Sequence, residues 1–280
     1  TGSVVIGAMG GSSLTGTGII TADVSGKESI ALYADNSTID LQNTGSNIKA
    51  LDGAFAMTST NSGTIKYAGN YIEAGQKSLM FYLDNTSKIE INNPTTAKIA
   101  GSTNATDRGT AFYYKSPTAY GTFNSGDMTT YFTNRYNSTL GNLTLNMDTG
   151  SRLFIVDNVA MNLSNTNLSL SSVTNAPIIS GSSYNTFMLY QSDLTIDQAI
   201  NLDTPTDDYN NLEIVTSKVT NNGFNISGAT AGQAAIAQEN GLTPGGTALP
   251  RSTVTLTNNG GTISLSGVNS VGMYASNGEI

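Results

Sequence analysis

The sequence predicts an all-β protein folded as a right-handed, single-stranded parallel β-helix, with some loops protruding from the rod. Three observations favour this fold class. An eleven-residue segment near the start recurs at the end of the chain. Thr, Asn, Ser and Gly make up 130 of the 280 residues, a composition typical of short strands and many tight turns. Short runs of alternating apolar and polar residues recur throughout the chain.

The internal repeat indicates an architecture in which one strand-turn-strand unit is stacked many times. Ser29–Ile39 matches Ser270–Ile280, with Ser, Tyr, Ala, Asn and Ile identical at equivalent positions. A degenerate copy occupies Met80–Asn85 and is followed by Ile89. A β-sandwich or jelly roll would also contain alternating strands, but it has no reason to reuse the same unit so far along the chain. The repeat therefore favours the β-helix.

The alternating runs predict half-buried strands whose apolar residues face a common core. Ile39, Ile89 and Ile263 follow Asx or Gly turns, so we expect them to face inward in stacked strands. The runs are Ile39–Gln42, Ile65–Tyr67, Ile89–Asn92, Leu143–Met147, Leu168–Leu170, Leu194–Asp197, Val254–Thr257 and Ile263–Ser266. Each run is short, as the strands of a β-helix are.

The amino-acid composition excludes several classes of functional site. The chain has no His and no Cys, which excludes a disulfide framework, thiolate metal sites and a Cys nucleophile, and removes the commonest general base. We therefore expect no cofactor and no metal site. The net charge of −8 predicts that nucleic acid is not a partner. The chain shows no secretory signal and no cap after Ile280, so we expect residues 1–280 to be one β-helix segment of a longer protein.

Acidic residues offer little for catalysis. Asp203–Asn211 is the densest acidic stretch, but it lacks the spacing of a calcium-binding loop and is typical of a solvated loop. Asp207 and Asp208 form the only adjacent carboxylate pair there, and neighbours on one strand point to opposite faces. Glycoside hydrolysis by paired carboxylates is therefore an alternative rather than the main hypothesis.

One region combines aromatic residues and arginine in a way that is typical of binding surfaces. Residues 108–137 contain eight of the 21 aromatic residues, and clean strand alternation lapses there, which predicts an aromatic-rich loop outside the rod. The alternative is that these rings fill a wide turn of the core. A second loop is predicted at residues 229–250, where Ala, Gly and Pro are frequent. The candidate ligand-binding residues are Arg108, Tyr113, Tyr114, Tyr120, Tyr131, Arg135 and Tyr136.

The segment Ser270–Gly278 resembles a repeat of large autotransporter passenger domains, especially those of fusobacterial outer-membrane adhesins, and Ser29–Ile39 is a looser copy. The resemblance implies a right-handed β-helix rod, exported through an outer-membrane barrel that belongs to the full-length chain. It also implies adhesion to host cells or to other bacteria, and it carries no catalytic residues.

From these observations we expect a non-enzymatic segment of a bacterial cell-surface adhesin. Its partner would be a receptor or glycan on a host cell, or the surface of another bacterium. Two alternatives stay open at this stage. One is a β-helix carbohydrate-active enzyme or tailspike-like glycan hydrolase, and the other is a purely structural stalk.

Overall fold

The computed structural model shows an all-β chain. It describes residues 2–84, 86–102, 104–115, 142–148, 151–157, 160–163, 184–190, 193–196, 200–203, 209–215, 218–221, 224–228, 234–239, 256–258 and 262–275. In these ranges the chain forms strands, one short 3₁₀ turn at Ala105–Asp107 and no α-helix. All strand pairing described below is parallel, so the predicted stacking is confirmed.

The wall of the rod that runs the length of the described chain is a ten-stranded parallel sheet, the first sheet. Every third strand of the early chain joins it. Its strands are, in spatial order, β1 (Val4–Met9), β4 (Ile30–Asp35), β7 (Phe55–Thr60), β10 (Leu79–Asp84), β13 (Thr110–Lys115), β15 (Arg152–Asp157), β17 (Tyr184–Tyr190), β20 (Tyr209–Val215), β23 (Ala234–Glu239) and β26 (Val271–Ala275).

The other strands form four shorter sheets. The second sheet contains β2 (Ser13–Gly16), β5 (Thr38–Leu41), β8 (Thr64–Tyr67) and β11 (Lys88–Ile91), and the third contains β3 (Thr21–Ser25), β6 (Asn47–Leu51), β9 (Tyr71–Ala74), β12 (Thr95–Ile99) and β14 (Leu143–Met147). The fourth contains β16 (Ala160–Leu163), β18 (Asp193–Ile196), β21 (Lys218–Asn221) and β24 (Leu256–Asn258), and the fifth β19 (Ile200–Asp203), β22 (Phe224–Gly228) and β25 (Thr262–Leu265).

The chain visits the first, second and third sheets in succession, which makes it a parallel β-solenoid. Four complete three-strand turns, β1–β3, β4–β6, β7–β9 and β10–β12, occupy its first hundred residues. Each strand pairs with its equivalent in the next turn, as Ile39 pairs with Ile65 and Ile65 with Ile89. The right-handed sense of the coil stays a prediction.

The core is a set of side-chain columns that run along the solenoid. Ile39 and Ile89 are fully buried in the second sheet, which confirms their predicted inward orientation. Ile263 is half-buried against the same core, but it lies in the fifth sheet opposite Ile226 rather than in the sheet of the other two. In the first sheet, one column consists of Leu32, Met57, Phe81 and Phe112. The last two rings stack at 5.2 Å.

The corners between sheets explain why hydroxyl side chains are so frequent. Serine side chains of one turn accept hydrogen bonds from backbone N–H groups of the preceding turn, and one of these groups, the N–H of Gly11, also donates to the carbonyl of Asn36 at 2.8 Å. The bonds join Ser37 Oγ to the N–H groups of Gly11 (3.1 Å) and Ser12 (3.0 Å), Ser46 Oγ to that of Ile20 (3.0 Å) and Ser78 Oγ to that of Gly53 (3.1 Å).

Two of the predicted loop regions contain strands. In the aromatic-rich region 108–137, residues 110–115 form β13, so any loop there begins after Lys115. Residues 116–137 lie outside the described residues. In the region 229–250, residues 234–239 form β23 of the first sheet, so the predicted loop does not include them. Residues 229–233 and 240–250 lie outside the described residues, so for them the loop stays a prediction.

Candidate functional site

The strongest candidate site is a row of aromatic side chains on the outer surface of the first sheet. Tyr33, Thr58, Tyr82 and Tyr113 are register partners on four successive strands. Phe55 lies beside them on β7. These five residues are called the aromatic stripe below. The four aromatic residues are half-buried, whereas the core residues that alternate with them are fully buried.

The rings of the stripe form a row rather than a cluster around a cavity. The Phe55 and Tyr82 rings are parallel within 5°, and their centroids lie 6.4 Å apart. The Tyr82 and Tyr113 rings meet edge to face, with centroids 5.5 Å apart. Both geometries are favourable for aromatic pairs. The stripe therefore advances along the solenoid by about one ring for each turn.

Thr58 interrupts the row of tyrosines between Tyr33 and Tyr82. It is only 5% exposed. Its Oγ1 atom is buried and has no hydrogen-bond partner within the described part of the chain. Leaving a buried hydroxyl unpaired costs about 1–3 kcal/mol. The neighbouring hydroxyl of Ser59 is also buried and without a partner among the described residues, so both are features of the packed strand and not contact points for a ligand.

One edge of the stripe is acidic. Asp35 lies two residues after Tyr33 on the same strand, and Thr60 Oγ1 lies 3.4 Å from both Asp35 Oδ1 and Tyr33 Oη. Asn61 Nδ2 donates to Asp35 Oδ1 at 2.6 Å. Asp84 occupies the equivalent place after Tyr82, where it is 5% exposed.

The Asp84 carboxylate is fully engaged in holding its corner together. Its Oδ1 accepts hydrogen bonds from Thr86 N (3.0 Å), Thr86 Oγ1 (2.9 Å) and Ser87 Oγ (2.6 Å). Its Oδ2 accepts from Asn61 N of the preceding turn. Asp35 is therefore the carboxylate of this edge that is more open to a ligand.

The outer surfaces of the second and third sheets differ from the stripe because charges alternate along them. Lys66 lies between Asp40 and Glu90 in the second sheet, and its Nζ is 3.9 Å from Glu90 Oε2. In the third sheet the column reads Asp23, Lys49, Glu73 and Lys98. Opposite charges in register stabilise strand pairing modestly. Because the sign of the charge alternates along each column, neither column forms a patch of one charge.

Tyr71, on the third sheet, is a half-buried outer tyrosine with a different environment. Its Oη donates to Glu73 Oε2 at 3.0 Å. Burial, followed by this hydrogen bond and the nearby carboxylates of Glu73 and Asp148, raises the pKa of Tyr71 to about 12. Because its hydroxyl is engaged by its own strand, Tyr71 is a structural tyrosine rather than part of a contact row.

The residues predicted to bind a ligand are distributed unevenly. Tyr113 belongs to the aromatic stripe. Arg108 is 3% exposed, and its Nε donates to the carbonyl of Ser102 at 3.2 Å, so the structure gives it an internal position. Tyr114 lies on β13, in register with Leu83 and Val156. Tyr120, Tyr131, Arg135 and Tyr136 lie outside the described residues.

Sequence reasoning missed Tyr33, Phe55, Thr58 and Tyr82 as site residues. A signal was present, because the tyrosine of the eleven-residue repeat is also found in the copies at Tyr82 and Tyr274. All three tyrosines belong to one register column of the first sheet, which runs through Thr58, Tyr113, Ile155, Met188, Glu213 and Ala237.

Within the described ranges, no group of three or more acidic side chains is arranged to hold a metal ion. None of the helical residues described forms a segment long and apolar enough to cross a membrane. Comparison with protein family models, with curated proteins and with solved structures found no match to this chain.

Proposed function

We propose that this chain is a non-enzymatic segment of a bacterial cell-surface adhesin, in which a rigid β-solenoid holds the aromatic stripe in position for contact with a partner. The observation that carries the proposal is that each of four successive strands of the first sheet carries a half-buried aromatic ring, namely Tyr33, Phe55, Tyr82 and Tyr113. Tyrosine is a residue of choice for binding surfaces, because it offers a large rigid area at low cost in side-chain entropy.

The proposed setting is extracellular, on the surface of a bacterium, with the solenoid as part of an autotransporter passenger in a longer protein. The resemblance of Ser270–Gly278 to passenger repeats supports this setting. A solenoid suits the role, because each turn contacts only its neighbours and the rod can be extended without a change in its cross-section. The partner is a host-cell receptor or glycan, or a second bacterium.

A cell-binding assay tests the proposal. Beads coated with the chain should bind epithelial cells or other bacteria, and the double variant Tyr82→Ser with Tyr113→Ser should reduce the number of bound beads several-fold. Tyr71→Ser is the matched control, because Tyr71 is also a half-buried outer tyrosine but lies on another sheet. Wild-type beads that bind no cell type would favour the purely structural stalk, and binding that the double variant retains would move the contact surface elsewhere.

A further inference from the structure

We infer that the outer face of the third sheet is a self-association surface, on which a second copy of this chain docks antiparallel to the first. The inference goes beyond the proposed function, because it concerns the purified chain alone. One register column of this face carries four charged side chains, Asp23, Lys49, Glu73 and Lys98. They lie on the successive strands β3, β6, β9 and β12, and each is exposed or half-buried, so a partner can reach all four.

The charges of this column are not paired with one another within the rod. The ion pairs in the described part of the chain join Lys27 to Glu28, Lys66 to Glu90 and Lys77 to Asp107. None of these pairs includes a strand residue of the third sheet, although its register places opposite charges on neighbouring strands. The charges of the second sheet therefore act within the rod, as the pair Lys66–Glu90 shows, whereas those of the third sheet are free to act on a partner.

The order of the signs in the third sheet is complementary to itself when one copy is turned end for end. The column reads negative, positive, negative, positive. A two-fold axis parallel to the strands, placed between β6 and β9, sets Asp23 of each copy opposite Lys98 of the other, and Lys49 opposite Glu73. Both copies have the same spacing between neighbouring turns, about 4.8 Å, so all the opposite charges meet in register. β14 continues the column with the uncharged Asn146, which adds no charge to be matched.

The same reasoning disfavours a parallel pair and the face of the second sheet. In a parallel pair, Asp23 would face Asp23 and Lys49 would face Lys49, and opposed like charges are repulsive. The second sheet has three charges in its column, Asp40, Lys66 and Glu90. Turned end for end, this column would set Lys66 opposite Lys66 and Asp40 opposite Glu90. Of the two charged columns, that of the third sheet is therefore the self-complementary one.

The small size of the face indicates a weak, reversible dimer. Only four strands carry the matched charges, and interfaces that bury less than about 1,200 Å² are typical of transient partners. The contacts are mainly electrostatic and partly exposed, so salt screens them. The dimer should therefore increase with protein concentration and dissociate when salt is added.

Sedimentation velocity at increasing protein concentration tests this inference. The wild-type chain should form a dimer that added salt dissociates. Lys49→Glu and Glu73→Lys each set like charges opposite one another twice across the interface, so each variant alone should associate about tenfold more weakly or less. An equimolar mixture of the two variants should form the dimer again, because every facing pair then has opposite signs. Lys66→Glu is the matched control, since it makes the same change of charge on the second sheet and should leave the dimer unchanged.

Cross-linking tests the antiparallel orientation. The chain has no Cys, so an introduced cysteine is the only thiol. Thr21 and Thr96 are exposed at the two ends of the column beside the charges, and the two-fold axis sets them opposite one another. A mixture of the Thr21→Cys and Thr96→Cys chains should therefore cross-link with a short bismaleimide, and neither chain should do so alone.

Several results would overturn the inference. They are a wild-type chain that stays monomeric at every concentration, an unchanged dimer of Lys49→Glu, and cross-linking of Thr21→Cys chains with each other, which would indicate a parallel pair. A mixture of Lys49→Glu and Glu73→Lys that stays monomeric would also overturn it, provided that circular dichroism shows both variants to be folded. A monomeric chain that still binds cells would leave the proposed function intact, so the two proposals fail separately.

Discussion

The hydroxyl of Tyr67 donates a hydrogen bond to the carbonyl of Ser46, 21 residues earlier in the chain, over 2.8 Å. The same Oη lies 3.0 Å from the carbonyl of Tyr71. Tyr67 is fully buried at the end of β8, so its ring contributes to the core while its hydroxyl satisfies the backbone at a corner of the solenoid. One side chain thus links consecutive turns at the passage from the second sheet to the third.

Gly69 makes room for this hydrogen bond. A Cβ atom at position 69 would overlap Tyr67 Oη and the carbonyl of Ser46. We therefore expect Gly69→Ala to lower the free energy of unfolding by about 1–3 kcal/mol, because the ring of Tyr67 must shift. Urea unfolding followed by circular dichroism measures the change. Gly18→Ala is the control, because a Cβ there meets no atom within 4 Å. Equal stability of the two variants would show that the corner can rearrange freely.

The isoleucine column of the second sheet should follow the energetics of a close-packed core. Ile65 is fully buried between Ile39 and Ile89. Ile65→Val should lower the free energy of unfolding by about 0.5–1.5 kcal/mol and Ile65→Ala by about 2–5 kcal/mol, since a larger cavity remains. Urea titration measures both. A loss of stability no larger for Ala than for Val would contradict tight packing along this column.

Much of the fold could be predicted from sequence because its features repeat. The eleven-residue repeat predicts that Tyr33 and Tyr274 occupy equivalent places, and both belong to the same column of the first sheet. Alternation predicts that Ile39 and Ile89 are buried, which the structure confirms. Both signals are local, so they can be recognised from a few residues at a time.

The site could not be predicted in the same way. Sequence reasoning favoured residues 108–137 because aromatic residues are dense there along the chain. A solenoid instead brings together residues one turn apart, as it does Tyr33, Thr58 and Tyr82. Turn lengths vary with each corner, so the register that aligns these residues cannot be read from spacing alone. Arg108 shows the opposite error. It lies in the region that the sequence favoured for binding, but its side chain is buried and donates a hydrogen bond to the carbonyl of Ser102.

The alternating charges of the second sheet should stabilise the fold slightly, and added salt should reduce this stabilisation by screening the charges. Lys66→Glu would place three carboxylates in one column with Asp40 and Glu90. We expect a loss of about 0.2–1 kcal/mol at low salt, because these side chains are partly exposed, and a smaller loss at high salt. Lys88→Glu is the control, because its register partner is Thr64. Urea titrations at two salt concentrations check this, and an effect independent of salt would point to packing instead of charge.

Ionisation of Tyr71 should lower the free energy of unfolding at high pH. Its pKa is about 12 in the folded chain against an ordinary value of 10.0, so the unfolded chain loses this proton first as the pH rises. The contribution of Tyr71 is therefore fully present below about pH 10 and is lost as the pH approaches 12. Tyr71→Phe should be less stable than the wild type at pH 8, and the difference should shrink by pH 11. Urea unfolding across this range measures it, and a constant difference would contradict the raised pKa.

Thr58 should lower the stability of the fold, because its buried hydroxyl has no hydrogen-bond partner among the described residues. Thr58→Val keeps the shape of the side chain and removes the unpaired group, so the free energy of unfolding should rise, by up to about 1–3 kcal/mol. Urea unfolding followed by circular dichroism measures the change.

The matched control for Thr58→Val is Thr60→Val, on the same strand. Thr60 Oγ1 lies within hydrogen-bonding distance of Tyr33 Oη and Asp35 Oδ1, so removing it should lower stability instead of raising it. Opposite signs for the two variants would show that the hydroxyl of Thr58 is unpaired and that of Thr60 is paired. If Thr58→Val destabilised the chain as Thr60→Val does, the hydroxyl of Thr58 would have to be paired within the protein.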